Sequence, residues 1–402
     1  MAFLLCFSSL AVAADQKPKP ANGKPQQNEK PQPEEFRPNP LELKIPDPLL
    51  PKKKEPLTPE ERSQLRASLD QLNTQATGLL QANKPDEAFD IWYRELRLRR
   101  VLGPLEEVTA LGRVGTIAWE NNRKFDADVI SQRLLAIQQE AEQKKTMNLE
   151  LLQALAQAYQ QVRLPEPAVK AYQQILADQR QRGDAAAQEE TLKTIAQLQM
   201  AWFDYPNAAA TYEELLTLAT AKGDRVSEVN YLQQLVYIYD KAQKPENALR
   251  QKQRLAEAYL NQKDYTNLPA LKIAIAGDYE ALKQLDLASQ TYQEAYSLAW
   301  SLQQFAYASE ALGKLGALYR AHNQPEFALQ VYDVLLKSAQ QSYDYYALMN
   351  TYDQMGQIYL EQKKYPQALT AFQNGLALAK SLQYQENYFA TQIDRVNQQS
   401  SQ

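Results

Sequence analysis

The sequence predicts an all-α solenoid of about eight stacked helix–turn–helix units. Three columns of residues recur every 40 positions without insertions. One column consists almost entirely of alanine, a second lies four residues later and is mostly aromatic, and a third lies nine residues before the first and is mostly tyrosine. Such a register is typical of one supersecondary unit that buries its apolar face against its neighbours. A stacked array with a long surface favours a binding protein over an enzyme.

The columns also have a physical rationale as helix packing. A small side chain lets two helices approach closely, and an aromatic ring one turn later fills the space beside it. The small column contains Ala88, Asp128, Ala168, Ala208, Ala248, Ala288, Ala328 and Ala368. The aromatic column contains Trp92, Gln132, Tyr172, Tyr212, Lys252, Tyr292, Tyr332 and Phe372. Because both columns are broken in the second unit, at Asp128 and Gln132, we expect that unit to be distorted.

Composition excludes several classes of function. The net charge is −4, whereas nucleic-acid binding usually demands a basic surface. Cys6 is the only cysteine and His322 the only histidine, which removes Cys/His zinc sites and histidine-based triads. The chain also lacks a glycine-rich phosphate loop, an H-E-x-x-H motif and EF-hand spacing. We therefore expect no enzymatic activity and no required cofactor.

Residues 1–14 resemble a secretory signal peptide. They form an apolar run that ends in Ala-Val-Ala-Ala, as in the h-region and cleavage site of such signals, and are too short to span a membrane. We therefore predict a periplasmic protein that is soluble after cleavage. Since no Lys or Arg precedes the run, a disordered apolar N-terminus remains the alternative.

Residues 15–58 are predicted to be a disordered arm rich in Pro, Lys and Gln. The stretch from Asp15 to Pro59 holds 12 of the 21 prolines, and proline favours an extended, polyproline-like chain. Its second half adds leucines and the run Lys52–Lys54. Apolar residues in a Pro-rich segment can dock on a groove, in cis or in trans, although an inert spacer is the simpler interpretation.

The solenoid is predicted over residues 59–385 and a polar C-terminal tail over 386–402. Thr58 is a suitable N-cap, Pro59 suits the first helical position, and Glu61 completes a capping box. Prolines recur where the second helix of a unit begins, at Pro85, Pro165, Pro206, Pro245, Pro325 and Pro366. Gly183 and Gly223 mark the ends of second helices.

This pattern resembles the tetratricopeptide repeat (TPR). Unit seven carries the family's signature as Leu312, Leu315, Gly316, Tyr319, Ala328, Tyr332 and Leu335, and unit eight as Tyr352, Met355, Gly356, Tyr359, Ala368 and Phe372. The resemblance extends from Glu60 to Tyr384 and implies a right-handed superhelical solenoid. The usual TPR period is 34 residues, so the helices should be longer here, the second helix in particular.

In TPR proteins the first helix of each unit lines a concave groove that binds protein segments. The resemblance places three stripes of side chains there: Arg113, Lys193, Gln233 and Asp353; Gln157, Gln197 and Tyr237; and Glu120, Gln160, Asp240, Glu280 and Arg320. Asp240 and Glu280 occupy the same position in adjacent units, so they could hold a divalent cation, although ordinary solvated acids are the simpler interpretation. The run Arg94, Arg97, Arg99 and Arg100 is predicted to be a solvated or partner-facing patch.

A narrower resemblance rests on the same features. An exported array of such repeats, rich in Gln and Tyr, resembles the periplasmic processing-associated TPR proteins (PratA) of cyanobacteria. That family engages the C-terminal part of the D1 reaction-centre protein and supplies manganese during photosystem II assembly. It implies a D1 segment as partner, peripheral association with a membrane complex, and Mn2+ at the acidic groove residues. An envelope scaffold for outer-membrane or cell-wall assembly is the alternative, and so is a cytosolic TPR regulator if the signal prediction is wrong.

Export is the first testable expectation. Cell fractionation with N-terminal sequencing should find a mature chain that begins near Ala14 or Asp15 outside the cytoplasm, because signal peptidases cleave after A-x-A sequences. A cytosolic pool that retains Met1 would contradict it.

Overall fold

The computed structural model describes residues 38–50 and 56–401, which form a right-handed TPR-like superhelical solenoid. Within these residues there are seventeen α-helices and no strands. The first sixteen helices form eight antiparallel pairs, one pair for each predicted unit, and α17 follows the last pair. The predicted all-α solenoid of eight units is thus confirmed.

In each pair the odd-numbered helix is the first helix of the unit and the even-numbered helix the second. The pairs are α1 (Pro59–Gln81) and α2 (Pro85–Arg99), α3 (Pro104–Glu120) and α4 (Lys124–Gln143), α5 (Leu149–Gln161) and α6 (Pro165–Arg182), α7 (Ala185–Ala201) and α8 (Tyr205–Lys222), α9 (Arg225–Lys241) and α10 (Pro245–Gln262), α11 (Leu268–Ala281) and α12 (Leu285–Ser301), α13 (Phe305–Ala321) and α14 (Pro325–Gln341), and α15 (Tyr345–Glu361) and α16 (Tyr365–Leu382). The last helix is α17 (Glu386–Ser400).

Helix ends follow the predicted capping residues. The Glu61 amide donates to Thr58 Oγ1 at 3.2 Å, and the Thr58 amide donates to Glu61 Oε2 at 2.8 Å, which completes the capping box. The six recurring prolines all lie in the first or second position of a helix. Gly183 and Gly223 end α6 and α8 in the left-handed conformation, with φ of 69° and 68°.

The small and aromatic columns form the core. Every alanine of the small column is at most 1% exposed, and Trp92, Tyr292, Tyr332 and Phe372 are at most 2% exposed. Gly316 of α13 lies under the Tyr332 ring of α14, so closely that a Cβ at Gly316 would overlap the ring. The joint between the two helices of a unit is therefore a small residue against an aromatic one.

The relative lengths of the two helices differ between units. The first helices α7 and α9 have 17 residues each, and the second helices α8 and α10 have 18 each. In units three and six the second helix is the longer one, with 18 residues in α6 against 13 in α5 and 17 in α12 against 14 in α11.

Unit two is distorted, as its broken columns predict. Helix α4 begins at Lys124, one residue earlier than the 40-residue register requires, so Ala127 takes the buried place and Asp128 is exposed. Helix α3 packs mainly against α5, while α4 barely touches α5. Gly112 and Gly115 permit this close approach, since a Cβ at either position would overlap side chains of α5 or the residue that follows it.

Residues 38–50, part of the arm that was expected to be disordered, instead lie against α2. Arg94 holds Asp47 with two hydrogen bonds of 2.6 and 3.0 Å, and Arg97 donates to the Pro40 carbonyl at 2.6 Å. Leu41 is 1% exposed. In the basic run predicted to be a solvated or partner-facing patch, Arg94, Arg97 and Arg100 therefore contact the chain's own arm, whereas Arg99 pairs with acids of the solenoid.

The docked arm also extends the core at this end of the array. Leu49, Leu50 and Leu57 pack against a buried leucine cluster of Leu65, Leu69, Leu72, Leu98 and Leu102. This cluster closes the otherwise open apolar end of the first unit, as terminal repeats of a solenoid must.

The opposite end is closed by a helix. Residues 386–400, which were expected to lie in a polar tail, form α17, and Phe389 and Val396 are each 1% exposed. The Phe389 ring lies against Gly375 of α16, which repeats the small-against-aromatic joint. The outward face of α17 is polar, which explains why its composition suggested a tail.

Several sequence predictions lie outside the described residues. These are the signal peptide at 1–14 with Cys6, the arm up to residue 37, and the Lys52–Lys54 run. None of the described helices has the length and apolar character that a membrane span requires.

Two glycines give a matched test of the packing. Gly316→Ala should destabilise the array by roughly 1–3 kcal/mol, because the new methyl group overlaps the Tyr332 ring. Gly277→Ala has space, with its nearest neighbour, Tyr292 Oη, 3.8 Å from the added Cβ, and should stabilise by about 0.5–1 kcal/mol through helix propensity. Urea unfolding and hydrogen exchange measure the change in stability of each variant. Equal effects from the two substitutions would contradict the packing described here.

Candidate partner-binding groove

Grooves run between consecutive first helices on the face that the resemblance identifies as concave. Between α3 and α5 a groove of about 370 Å³ is lined by Thr116, Trp119, Glu120, Gln157, Gln160, Gln161 and Arg163. The structure thus brings together three predicted site residues, Glu120, Gln157 and Gln160. The lining is mostly amide and hydroxyl groups, which can both donate and accept hydrogen bonds.

A second groove between α13 and α15 was not predicted. Its volume is about 430 Å³, and small residues of α13 open it, namely Ala306, Ser309, Gly313 and Ala317. Glu310, Asn350 and Gln354 supply polar groups. The sequence signal was a run of small residues at helical spacing outside the core columns, which a search for charged positions overlooks.

Most charged residues predicted for the groove are already paired within the solenoid. Arg113 donates to both oxygens of the fully buried Glu95, at 2.7 and 2.9 Å. Lys193 lies 2.9 Å from both Glu190 and Glu189. The hydrogen bond with Glu190, followed by that with Glu189, raises the pKa of Lys193 well above its usual range. These cations therefore have less charge to offer a partner than their positions suggested.

The same holds at the other end of the groove. Arg320 donates to Gln354 at 2.6 Å and to Glu361 at 2.7 Å. Asp353 accepts from Tyr388 Oη at 2.9 Å, and partial desolvation of the Tyr388 phenol together with this bond raises its pKa. The predicted cations of the inner face are thus paired with carboxylates, whereas Asp353 is held by a neutral donor.

Three predicted amides and one tyrosine complete the inner face. Gln233 donates to Tyr259 Oη at 2.9 Å, and Lys241 lies over the Tyr237 ring at 5.5 Å. Gln157 and Gln197 are exposed, and within the described residues neither side chain forms a hydrogen bond. Glu120 is likewise exposed and has no hydrogen-bond or ion-pair partner within residues 38–50 and 56–401, so it and these two amides are the predicted site residues most available to a ligand.

Asp240, a candidate metal ligand, is held by a buried lysine. Lys252 replaces the aromatic residue of its column, and its ammonium is 2.8 Å from Asp240 Oδ1 and 3.0 and 2.8 Å from the two oxygens of Asp278. Asp278 in turn replaces an apolar residue such as Ile238 or Leu318, and burial raises the pKa of its carboxyl. The two deviations from the repeat are therefore complementary.

The second candidate ligand, Glu280, accepts a hydrogen bond from Tyr292 Oη at 3.2 Å. Among residues 38–50 and 56–401, no group of three or more His, Cys, Asp or Glu side chains could hold a metal ion. Hard divalent cations usually require more oxygen ligands than one carboxylate, and the ammonium of Lys252 already neutralises Asp240. The residues present do not fit a resident manganese site.

A row of exposed aromatic residues follows the turns between units five to eight and α17. The row consists of Tyr265, Trp300, Tyr307, Tyr343, Tyr345, Tyr346, Tyr384 and Tyr388. We call it the aromatic edge. Charged residues are sparse along it, and residues 296–309 contain none. Depletion of charge with enrichment of Tyr and Trp is typical of protein interfaces. The edge was overlooked because these residues lie outside the core columns on which the sequence analysis concentrated.

Comparisons with known proteins add little beyond the fold. No protein-family model and no curated protein matches this chain. Among solved structures, BtubC (BKLC) from P. vanneervenii shares 18% identity over 55% of this chain and 92% of its own, with a TM-score of 0.39. Aspartyl phosphate phosphatase F from Bacillus subtilis shares 15% identity over 72% of this chain and 78% of its own, with a TM-score of 0.40. MamA shares 17% identity over 47% of this chain and 98% of its own, with a TM-score of 0.35. The TPR-like character of this chain rests on its own helix pairs and buried columns.

The Lys252–Asp278 pair gives a test of how the candidate site is held. Lys252→Tyr restores the aromatic column but leaves Asp278 buried without its cation, which should destabilise the array by about 3–5 kcal/mol. Adding Asp278→Leu should recover most or all of that loss, because apolar packing often replaces a buried ion pair without cost. Urea unfolding with hydrogen exchange in α9 to α12 measures this. A double variant no more stable than Lys252→Tyr alone would contradict the pairing.

Proposed function

We propose that this protein is a binding scaffold that holds an extended segment of a partner protein along the face lined by its first helices. The proposal is carried by the amide-lined groove between α3 and α5, where Gln157 and its neighbours are exposed. Side-chain amides can bond the backbone of an extended peptide, and a rigid helical frame keeps them in place.

The histidine and the tyrosines with shifted pKa values have structural roles, which favours a scaffold over an enzyme. His322 ends α13, and its Nδ1 lies 2.9 Å from the Leu318 carbonyl oxygen, so a backbone group holds the ring. The perturbed tyrosines are mainly core residues: burial raises the pKa of Tyr292 and of Tyr332. Packing explains these shifts without any catalytic role.

The finer proposal is an exported assembly factor for photosystem II that binds a D1 segment while associated peripherally with a membrane complex. Its support is the signal-like N-terminus and the resemblance in repeat style. Manganese delivery fits less well, because Asp240 is neutralised by Lys252. The alternative is an envelope scaffold for outer-membrane or cell-wall assembly, which would use the same groove.

Site-specific photocrosslinking tests the binding face. A photoreactive residue is placed at Gln157 or Gln197 on the inner face, and at Arg250, an exposed residue of α10, as the outer-face control. In native envelope extract, the inner positions should crosslink one discrete partner and Arg250 should not. A further probe at Tyr346 reports on the aromatic edge. Crosslinks from Arg250 or Tyr346 but not from the inner face would refute the groove as the binding site.

Once a partner is identified, paired charge changes test the groove quantitatively. Asp240→Ala with Glu280→Ala should weaken partner binding by about 2 kcal/mol if these acids pair desolvated charges, whereas Arg250→Ala with Arg254→Ala should do much less. The first variant should stay folded, because Lys252 keeps its bonds to Asp278. Calorimetry measures the binding of each variant to the partner, to a C-terminal D1 peptide and to manganese chloride. Equal effects from the two pairs would show that Asp240 and Glu280 do not contact the partner.

A further inference from the structure

A pocket lies between the docked arm and α2, away from the groove of the proposed function. Its volume is about 450 Å³, and half of its twelve lining residues are apolar. Leu43 and Ile45 of the arm are 41% and 58% exposed, which is unusual for apolar side chains beside a cavity. Apolar side chains thus present part of its wall to solvent.

The other side of the pocket is basic, and its cations fall into two groups. Arg94 is neutralised by Asp47 at 2.6 Å. Arg100 is neutralised by Glu107 at 2.8 Å and lies 3.3 Å from Glu42. These pairs hold the arm in place and leave those two arginines without excess charge.

Arg97 and Lys44 form the second group. The Arg97 guanidinium donates to the Pro40 carbonyl at 2.6 Å, but no carboxylate of the described residues pairs with it. Lys44 likewise has no carboxylate partner within 38–50 and 56–401. Both residues line the pocket. Two cations without counter-ions therefore border one partly apolar cavity.

Neighbouring charges and burial make the positive charge of Arg97 unfavourable. Burial is the main cause that lowers the pKa of Arg97; the charge of Asp47, and more weakly that of Asp90, raises it, while the positive charges of Arg100 and Arg94 lower it. An anion in the pocket would offset this repulsion. Because Asp47 and Glu42 also line the cavity, they would repel a doubly charged group more than a singly charged one.

From this arrangement we infer that the pocket binds a carboxylate carried on an apolar group. The guanidinium of Arg97 offers paired N–H donors in the geometry that a carboxylate accepts, and Lys44 adds a second positive charge. Leu43, Ile45 and Leu50 contact the apolar part of the ligand. A peptide C-terminus that ends in an apolar residue and a short free fatty acid share this chemistry. A bound ligand would bridge the arm and α2 and so strengthen their docking.

The test uses the full chain and four probes: the peptide acetyl-Ala-Ala-Leu with a free C-terminus, the same peptide as its C-terminal amide, hexanoate, and inorganic phosphate. Ligand-observed NMR measures weak binding. The free acid should bind at least about ten-fold more tightly than the amide, since a charge-assisted bond is lost in the amide. Binding of the peptide acid but not hexanoate assigns a peptide terminus, and the reverse assigns a small acid. Binding of phosphate more tightly than either carboxylate would overturn the proposal.

Substitutions of the two pocket cations test whether the ligand binds at this pocket. Arg97→Gln should weaken binding of the peptide acid or hexanoate about ten-fold and Lys44→Gln about three-fold, while Arg250→Gln on exposed α10 leaves it unchanged. Arg97→Gln could also undock the arm, which hydrogen exchange of residues 38–50 detects. Lys44→Gln removes no contact that holds the arm, so it tests the site by itself. Equal binding of acid and amide, or full binding in Lys44→Gln and Arg97→Gln with the arm still docked, would refute the inference.

Discussion

The fold depends on one repeated contact, that of a small residue in the first helix against an aromatic ring in the second. Gly316 under Tyr332 and Gly356 under Phe372 show it at its closest. The contact fixes both the distance and the rotation of the two helices, because neither a larger residue nor a shifted ring fits. Because each unit also packs on the next, a contact that recurs in most units helps to set the superhelix, although Gln132 and Lys252 replace the ring in units two and five. The same contact between Gly375 and Phe389 attaches the closing helix α17.

The irregular end of the array is held differently. In units one and two, Glu95, Glu107 and Asp126 are buried charged residues, and each is paired with arginine. Buried ion pairs add little net stability but penalise wrong arrangements strongly, because a misplaced partner leaves a charge without compensation. We infer that they fix the shifted register of α4, where the alanine column no longer does so. Apolar contacts define the regular units, and paired charges define the exception.

Features that depend on residues close together or regularly spaced in the chain could be predicted from the sequence, and features that depend on distant residues could not. Helix caps, the alanine and aromatic columns and the distortion of unit two are local or periodic, and they were predictable. The docking of residues 38–50 was not, because it depends on Arg94 and Arg97 meeting Asp47 and Pro40 from distant positions in the chain. The complementarity of Lys252 and Asp278 is visible in the sequence only once the two deviating columns are known to face each other. The predicted stripes located Gln157 and Gln160 correctly beside Glu120, but position alone could not show that Arg113 and Lys193 were already paired.

This internal pairing changes what kind of binding the protein can perform. Because the predicted cations of the groove, Arg113, Lys193 and Arg320, are already paired with carboxylates, they attract an acidic partner only weakly over distance. In the proposed function the groove's selectivity comes from short-range contacts, namely amides such as Gln157 and Gln197 and the small residues that open the groove between α13 and α15. Rigid helices lose little entropy when such groups bind, which compensates for the absence of strong charge pairing. The proposed binding face therefore selects its partner by shape and hydrogen-bonding pattern more than by attraction to its cations.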